Sequence, residues 1–334
     1  MPARTPSSAG SWHRGLDVTL PPLIVLCGAT ATGKTRLSVA LAARLGHAEI
    51  VSADSRQVYR GMDVGTAKVS AAERSSVPHH GLDLVDPDEA LSAAGFRGHA
   101  MTTLLGIAER GNVALLVGGS GLYVRAVARG LPLDDTGHDA AVRARLEERL
   151  LSEGLAALAA ELTRTAPTMA AGTDLANPRR VVRALERATV LGDLPPPRPT
   201  GYPAPVLWLG LTTPPEAHAR AIEERVRSQF RDGLLEEAAS LRARYPEDLR
   251  AFSAMGYREA FDVLAGRTDL ASAIAADSTR TRQYARRQRT WFRAETDVHW
   301  VAAGEGALAT AWPLVEAFRA GIAATTGVAS GHVS

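Results

Sequence analysis

The sequence predicts an α/β protein with a mostly parallel sheet flanked by helices, together with an all-helical insertion. Short apolar runs recur between helical patterns, and this alternation is typical of parallel strands joined by helices. The pattern lapses over residues 132–205, where we find no convincing strand. We therefore expect a core of residues 20–131 and 206–324, a helical insertion at 132–205 and loose tails at 1–19 and 325–334.

Each predicted element rests on a local pattern. The short, mostly apolar runs that predict strands are Leu23–Cys27, Glu49–Ser52, Leu82–Val85, Val113–Val117, Val206–Leu209 and Val298–Val301. Helical spacing of apolar residues predicts helices over Arg36–Leu45, Asp139–Leu151, Leu155–Leu162 and Asn177–Leu191. The proline segment Pro195–Pro199 is a stiff linker that ends the last of these helices.

A complete phosphate-binding loop follows the first strand. Residues 28–35 read Gly-Ala-Thr-Ala-Thr-Gly-Lys-Thr, which is the pattern G-x-x-x-x-G-K-[ST] between a strand and a helix. In that context successive backbone N–H groups and the helix N-terminus face an anion. We therefore expect a P-loop NTPase-like core that binds a di- or triphosphate. The predicted contacts are Gly28, Ala29, Thr30, Ala31, Thr32, Gly33, Lys34 and Thr35.

Lysine usage separates two positions from the other basic residues. Of 38 lysines and arginines only Lys34 and Lys68 are lysines. A slim ammonium group fits in a phosphate loop where a planar guanidinium would not, so Lys34 is expected to bind the phosphate. The Thr35 hydroxyl can hold Mg²⁺. Lys68 is either a second phosphate ligand or a solvated surface lysine, and the sequence leaves both open.

The composition bounds the class of protein. A chain of 334 residues with 46 % hydrophobic residues and a net charge of +2 is typical of a globular protein. Its one cysteine, Cys27, excludes an internal disulfide framework or a cysteine-based zinc site and fits a reducing cytosol. No apolar run approaches the ~18 residues of a membrane span, and the run after residue 19 is too short for a signal peptide. We therefore expect a cytoplasmic protein with no membrane partner.

An acidic residue follows the second strand. Asp54 comes two residues after Ser52, which places it at the edge of a parallel sheet where ligands bind. A carboxylate beside a bound polyphosphate is costly unless a metal, a base role or hydrogen bonds compensate. Asp54 is therefore a candidate general base or a water-mediated magnesium ligand. A cap on the next turn is the remaining alternative.

The strand Val113–Val117 ends without the acid that an ATPase usually carries there for Mg²⁺. Gly118, Gly119 and Ser120 follow instead. The glycines suggest that a substrate approaches the backbone closely, and Ser120 can donate a hydrogen bond to it. This pattern weakens an ATP-driven motor and leaves a small-molecule kinase open.

Arginines are concentrated in two segments. Six lie in one predicted helix, with no acidic residue between Asp277 and Glu295. Four of the six share a helix face: Arg282, Arg286, Arg289 and Arg293. A second cluster opens the last insertion helix, at Arg179, Arg180 and Arg183. Unpaired like charges favour a polyanion such as RNA or DNA, and a solvated basic face is the alternative.

The ordered set of motifs from about Pro22 to Trp300 resembles the tRNA dimethylallyltransferase family, also called tRNA isopentenyltransferases. The motifs are Gly28–Thr35, Asp54–Tyr59, Gly61–Lys68, Pro78–Pro87, Ser92–Phe96, Gly118–Tyr123, Ala254–Arg258 and Arg286–Trp291. The chain looks like a bacterial form because it carries no C-terminal zinc finger of the eukaryotic type. Ala29 stands where proline is usual, and Gly95 where aspartate is usual.

The resemblance implies transfer of a dimethylallyl group from dimethylallyl diphosphate to N6 of the adenine on the 3′ side of the tRNA anticodon. Diphosphate is released, so the loop would hold an allylic diphosphate with Mg²⁺ at Thr35. By the same resemblance Asp54 accepts the N6 proton and Lys34 acts on the diphosphate. Ser120 keeps the hydroxyl of a position that is often threonine, and Arg143 matches an arginine that reaches the reaction channel.

The resemblance also implies a tRNA-contacting surface on an enzyme expected to be a monomer. Its candidate residues are Asp54, Ser55, Arg56, Gln57, Arg179, Arg180, Arg183, Gly256, Tyr257, Arg258, Arg286, Arg287, Gln288, Arg289, Trp291 and Arg293. Two other functions stay open on the sequence. One is a small-molecule or nucleoside kinase that uses ATP, and the other is a non-catalytic RNA-binding protein whose loop senses a nucleotide.

Overall fold

A computed structural model of the chain describes residues 19–133 and 137–329. Six parallel strands form one sheet in the order β3-β2-β4-β1-β5-β6. The strands are β1 (Leu23–Gly28), β2 (Ala48–Ser52), β3 (His79–His80), β4 (Val113–Gly118), β5 (Val206–Thr212) and β6 (Val298–Ala302). The predicted parallel sheet is therefore confirmed.

Helices cover both faces of the sheet. They are α1 (Lys34–Leu45), α2 (Ala71–Ser76), α3 (Ala93–Glu109), α4 (Gly121–Ala128), α5 (Ala140–Glu153), α6 (Leu155–Thr165), α7 (Pro167–Ala171), α8 (Pro178–Leu191), α9 (Pro215–Arg231), α10 (Leu234–Arg242), α11 (Tyr257–Leu264), α12 (Leu270–Arg293) and α13 (Ala307–Ala329). A 3₁₀ turn spans Arg250–Ser253. None of the described helices combines the length and the apolar character that crossing a bilayer requires.

The central strand β1 shows how the core is divided. Because side chains alternate along a strand, Leu23, Val25 and Cys27 pack in the layer that contains α3, α4 and α12. Ile24 and Leu26 pack in the opposite layer, against α1 and α13. Burial raises the pKa of the Cys27 thiol to about 12, so this cysteine is an apolar core residue and not a nucleophile.

One predicted strand is wrong. Residues 82–85 do not join the sheet, and β3 consists of His79–His80 instead. Val85 makes only an isolated β-bridge to Tyr59, which also lies outside the sheet. Asp83 has a positive φ of 55°, which a strand does not allow. The apolar residues of this segment therefore belong to a turn that packs on the core, which the apolar pattern alone could not distinguish from a strand.

The segment predicted to be a helical insertion, 132–205, contains the helices α5 to α8 and no strand among its described residues 132–133 and 137–205. These helices enclose a small core of their own, in which Leu146, Leu158, Leu162 and Val181 are buried. At the C-terminus α13 continues to Ala329, five residues into the predicted tail. Residues 1–18 of the other predicted tail, and 330–334, lie outside the described residues.

A buried carboxylate ties the β2 edge of the sheet together. The side chain of Glu49 is 3 % exposed and accepts two hydrogen bonds from Arg110, at 2.7 and 2.8 Å. Asn112 Nδ2 and His80 Nε2 lie 2.8 and 2.6 Å from its oxygens. The hydrogen bonds from Arg110 outweigh the effect of burial and lower the pKa of Glu49 to about 2.

We expect Glu49→Gln to lower the free energy of unfolding by about 2 kcal/mol at neutral pH, because a charge-assisted network loses its anion. A depressed pKa means that the stabilisation is present above about pH 4.5 and is lost as the pH falls toward 2. Urea unfolding of both proteins over this range measures the effect.

The control is Glu153→Gln, which removes an exposed partner of Arg149 on α5 and is expected to leave the unfolding midpoint close to that of the wild type. Equal unfolding midpoints for the wild type and Glu49→Gln at neutral pH would contradict the stabilising role of Glu49.

Candidate active site

A cavity of about 490 Å³ opens at the C-terminal edge of the sheet. The phosphate-binding loop forms one wall, and the ends of β2 and β4, the loop at residues 65–69, α9 and α12 form the others. Lys34, Asp54, Arg225 and Tyr284 all line it. The cavity therefore holds cations and a carboxylate within one enclosure, at the edge where parallel sheets bind ligands.

The phosphate-binding loop has the conformation that an anion cradle requires. Ala31 and Gly33 have positive φ angles of 59° and 85°, and α1 starts at Lys34. Gly28 lies so close to β5 that a Cβ atom would come within 2.9 Å of the Leu211 carbonyl oxygen. The Ala29 carbonyl oxygen accepts a hydrogen bond from Thr32 Oγ1 at 2.9 Å, and its side chain is buried with Ile222 and Ala285.

Lys34 lies inside this cradle. Its Nζ donates to the Ala29 carbonyl oxygen at 2.7 Å. Burial lowers the pKa of Lys34 to about 8; the Asp54 carboxylate opposes this change and Arg225 adds to it. A bound phosphate would supply the negative charge that this buried ammonium group lacks.

The peptide of Thr30 is held from both sides. Its N–H donates to Gln288 Oε1 at 2.8 Å, and its carbonyl oxygen lies 2.8 Å from His218 Nε2. Arg289 Nη1 in turn lies 2.8 Å from His218 Nδ1. A neutral imidazole with its proton on Nε2 satisfies both contacts, and burial lowers the pKa of His218, which favours that form.

Two predicted contacts change as a result. The N–H of Thr30 is occupied by Gln288 and is not available to a phosphate, so the cradle begins at Ala31. Gln288 was assigned to the tRNA surface, but its side chain is buried and its Nε2 donates to the Gly119 carbonyl oxygen at 2.8 Å. It therefore joins the phosphate-binding loop to the turn after β4.

Asp54 lies on a turn that Ser120 supports. Ser120 Oγ accepts from the Ser55 N–H at 2.9 Å and donates to Ser55 Oγ at 3.1 Å. One oxygen of Asp54 accepts from the Arg56 N–H at 2.9 Å, so this carboxylate both caps the turn and lines the cavity. The neighbouring Tyr284 has its pKa raised to about 12 by burial and by the charge of Asp54, so its phenol remains neutral.

The two glycines at the end of β4, Gly118 and Gly119, are required by contacts within the protein. A Cβ on Gly118 would lie 2.1 Å from the Ala53 carbonyl oxygen, and one on Gly119 would lie 2.5 Å from Gln288 Nε2. These contacts explain both residues without the close approach of a substrate that the sequence suggested.

Arg56 and Gln57 make internal contacts. The Arg56 guanidinium donates to the Arg250 carbonyl oxygen at 3.0 Å and to Ser253 Oγ at 2.9 Å. Gln57 accepts from Ser52 Oγ at 2.9 Å and donates to carbonyl groups of the loop at residues 66–67. Both residues line the cavity, and both hold its walls in place.

Lys68 is a structural ion pair. Its side chain is 1 % exposed, and its Nζ donates to Tyr59 O, Asp63 and Asp83 at 2.6, 2.7 and 2.5 Å. Three acceptors use all three N–H bonds of an ammonium group. Lys68 is therefore neither a phosphate ligand nor a solvated lysine, and it fixes the loop that closes one side of the cavity.

Glu237 and Tyr257 hold the same loop from α10 and α11. Glu237 accepts from the N–H groups of residues 63–65 at 2.8 to 3.0 Å and from Tyr257 OH at 2.6 Å. Tyr257 is fully buried, and Gly256 has a φ of 88° with Leu234 against it. Both were assigned to the tRNA surface, but both lie in the interior; their neighbour Arg258 is exposed.

Arg225 is a cavity residue that sequence reasoning missed. It extends from α9, donates to the Thr66 carbonyl oxygen at 3.3 Å and makes no ion pair with any other described residue. Burial lowers its pKa, and the charges of Asp54 and Asp277 partly offset that change. The one available signal was its place beside Ile222 and Val226, on the buried face of an amphipathic helix.

The arginine-rich helix α12 has two functional faces. Arg282, Arg286, Arg287 and Arg293 are exposed, whereas Arg289 is half-buried against His218. Trp291 packs against Gly121 with the Arg125 guanidinium 4.9 Å from its ring centre, so it also faces inward. The predicted stripe is therefore exposed except at Arg289.

The insertion places its arginines in two settings. Arg179 and Arg180 are exposed at the start of α8. Arg143 and Arg183 donate at 2.8 Å to Glu186, whose side chain is fully buried. Burial alone would raise the pKa of Glu186, but these arginines lower it to about 2. Arg143 does not line the cavity in this structure.

The donor set of the cavity suits Mg²⁺. Thr35 lines the cavity, and its hydroxyl makes no hydrogen bond to another described residue. Among the residues that the structure describes, no group of three acidic, histidine or cysteine side chains could enclose a metal ion. Mg²⁺ usually keeps several waters and takes oxygens from substrate phosphates, so one hydroxyl beside a phosphate cradle fits it.

Comparison with known proteins identifies the family. A family model described as IPP transferase matches residues 57–295, and one described as isopentenyl transferase matches residues 21–82. The tRNA dimethylallyltransferase of Anaeromyxobacter sp. (strain K) is 47 % identical over 290 residues, which cover 84 % of this chain and 92 % of that protein. The protein of that name from Halalkalibacterium halodurans is 41 % identical over 283 residues, covering 83 % and 90 %.

Solved structures agree. The tRNA isopentenylpyrophosphate transferase of Bacillus halodurans superimposes with a TM-score of 0.68 at 38 % identity, covering 93 % of this chain and 99 % of that one. A eukaryotic dimethylallyltransferase acting on tRNA gives a TM-score of 0.73 at 25 % identity, covering 85 % and 74 %. The P-loop NTPase-like fold is thereby confirmed, and the chain belongs to the tRNA dimethylallyltransferase family.

Proposed function

We propose that this protein transfers a dimethylallyl group from dimethylallyl diphosphate to N6 of the adenine 3′ to the anticodon of tRNA, with release of diphosphate. The observation that carries the proposal is the single cavity that contains both a phosphate cradle with buried Lys34 and the Asp54 carboxylate. One end suits a diphosphate and the other a proton acceptor. The names of the similar proteins support the same reaction.

The diphosphate end stabilises the leaving group. An allylic diphosphate ionises readily because the developing cation is delocalised, so catalysis depends on stabilising the departing anion. In this proposal the N–H groups from Ala31 to Thr35, the Lys34 ammonium and the Arg225 guanidinium bind that anion; Lys34, Thr35 and Arg225 all line the cavity. Thr35 would hold Mg²⁺, and the ion would supply further positive charge to the diphosphate.

The acceptor end binds and deprotonates the amine. In this proposal Asp54 accepts the N6 proton. Ser120 acts indirectly, through its two hydrogen bonds to Ser55 in the turn that carries Asp54. The adenine must leave its stack to enter the cavity. The walls formed by Gln57, Tyr284 and the loop at residues 65–69 would then keep water away from the allylic cation.

The exposed arginines provide the RNA surface. Arg286, Arg287 and Arg293 on α12 and Arg179 and Arg180 on α8 carry charge that no described carboxylate neutralises at close range, apart from Asp174, 3.6 Å from Arg180. In the proposed mechanism Arg143 reaches the reaction channel, which requires its bond to Glu186 to open. Ser55 and Arg258 remain proposed tRNA contacts, the cytoplasm remains the proposed compartment, and a monomer is the proposed state.

One assay separates this function from the kinase and from a non-catalytic RNA binder. Purified protein is incubated with unmodified tRNA, Mg²⁺ and labelled dimethylallyl diphosphate, without ATP. Label on the RNA is expected. A kinase, which needs ATP, and a non-catalytic binder would both leave the RNA unlabelled. Unlabelled RNA would therefore refute the proposal.

We expect Asp54→Asn to lower kcat at least about a hundredfold, because general-base catalysis contributes ~10²–10⁴ in rate. The amide keeps the hydrogen bond to the Arg56 N–H, so the turn and the RNA dissociation constant should change by less than about twofold. Asp88→Asn, at an exposed carboxylate outside the cavity, is the control. Wild-type kcat in Asp54→Asn would remove Asp54 from the mechanism.

Diphosphate affinity should decline in alkaline solution. The pKa of Lys34 is about 8 in the free protein, and an adjacent anion would raise it. Binding is then strongest below about pH 8 and weakens above it, by up to about tenfold per pH unit. Calorimetry with inorganic diphosphate at constant Mg²⁺ measures this. Lys34→Gln should bind weakly with no such decline, and a parallel decline in that variant would contradict the assignment.

Charge reversal on the exposed face of α12 should weaken RNA binding. Arg286→Glu is expected to raise the tRNA dissociation constant about tenfold at moderate salt and to reduce the salt slope by about one. Arg319→Glu, at an exposed arginine on α13, is the control for net charge. Arg289 is unsuitable for this test because it holds His218. If Arg286→Glu and the control Arg319→Glu had equal tRNA dissociation constants, α12 would be excluded from the RNA surface.

A further inference from the structure

A second cavity, of about 260 Å³, lies on the opposite side of the phosphate-binding loop. Gly28, Ala29 and Thr32 form its floor, and it shares no lining residue with the candidate active site. Its remaining walls come from the ends of β5 and α12, the first turns of α9 and the middle of β6. We propose that this cavity binds one unstacked nucleotide, with its base on Trp300 and its phosphate at Arg289 and Arg293.

Trp300 provides a surface for a base. It belongs to edge strand β6, yet 42 % of its surface is exposed. Its ring lies over Gly210, where a Cβ atom would come within 2.7 Å of the indole. The sheet thus supports the indole at Gly210 while much of the ring remains open. Stacking on such a ring suits any base, because every base has a π face.

Two arginines provide the charge. Arg289 is fixed by His218 at 2.8 Å, and Arg293 is exposed at the end of α12. Neither makes an ion pair with a carboxylate among the described residues, and none of the residues lining the cavity is acidic. The nearby Glu295 is bound to Arg125 and Arg129 instead. An anion is therefore the natural complement of this cavity.

Thr213 provides an unsatisfied polar group. It lines the cavity, and its buried hydroxyl has no hydrogen-bond partner in the described structure. A buried hydroxyl without a partner costs free energy that a ligand can recover. A hydroxyl can both donate and accept, so it suits a base edge or a ribose 2′-OH.

The size of the cavity limits the ligand. At about 260 Å³ it lies just below the ~300–1,000 Å³ of sites for larger small molecules, which favours one nucleoside-sized group over a longer segment. It adjoins the C-terminal end of α12, which also carries the exposed Arg286. We assign the nucleotide to an RNA chain already lying on α12, and this part of the inference rests on the proposed function. A free mononucleotide offers the same chemistry, so the experiment separates the two sources.

Three variants test the site. Trp300→Leu removes the aromatic face, Trp300→Phe keeps one, and Arg293→Gln removes a charge. Arg319→Gln is the control for net charge. For each we would measure anisotropy of a labelled anticodon stem-loop RNA, quenching of tryptophan fluorescence by AMP, and prenyl transfer at saturating RNA.

We expect Trp300→Leu and Arg293→Gln to weaken RNA binding about tenfold, with Trp300→Phe within about threefold of the wild type. Transfer by the two Trp300 variants at saturating RNA should remain within about twofold of the wild type, because the reacting groups lie in the other cavity. Circular dichroism spectra and melting temperatures like the wild type's would show that the variants fold. Restored binding in Trp300→Phe distinguishes stacking from a merely structural role.

Each outcome decides one claim. If Trp300→Leu abolishes the quenching by AMP but leaves RNA binding unaltered, the nucleotide site is supported and its ligand is a free nucleotide. RNA binding and AMP quenching that both remain unaltered in Trp300→Leu and Arg293→Gln would overturn the site. A third outcome is that Trp300→Leu weakens RNA binding but the wild-type protein transfers no prenyl group. That outcome would refute the proposed function and still support the nucleotide site.

Discussion

The clamp on the Thr30 peptide is the contact on which the candidate active site depends. A phosphate-binding loop works only when its N–H groups point at one place, and a short glycine-rich segment does not hold that geometry unaided. Here Gln288 binds the N–H of Thr30 and His218 binds its carbonyl oxygen, each at 2.8 Å. Two helices from the C-terminal half of the chain thus fix a loop near its N-terminus.

Because of this clamp, α12 serves two purposes along one stretch of sequence. Its inner face carries Gln288 and Trp291, which frame the loop and the start of α4. Its outer face carries Arg286, Arg287 and Arg293. The same helix therefore contacts the phosphate-binding loop on one face and presents arginines to solvent on the other.

The sequence predicted what short segments encode. The phosphate-binding loop, Asp54 at a strand end and the helices of the insertion follow from local patterns, and each lies near its predicted bounds. The prediction of a strand at residues 82–85 was wrong because a buried turn and a buried strand use the same apolar residues. Arg225 was missed because its proximity to Lys34 arises only from the packing of α9 across the sheet edge.

Neighbouring residues within one sequence motif can face opposite ways in the structure. Tyr257 is buried, whereas its neighbour Arg258 is exposed. The adjacent residues Gln288 and Arg289 both make contacts inside the protein. A motif shows that its residues occur together and does not show which helix face each occupies. Lys68 illustrates the same limit, since its three partners come from separate turns.

The contact between Lys34 and the Ala29 carbonyl oxygen has a consequence for ligand binding. The ammonium group uses one of its three N–H bonds on an acceptor inside its own loop, which leaves two for an incoming anion. A diphosphate offers several charged oxygens to those two donors, and hydrogen bonds between charged groups are the strong ones. The loop thus fixes the direction of the ammonium group before a ligand arrives, so that the anion meets a donor that is already oriented.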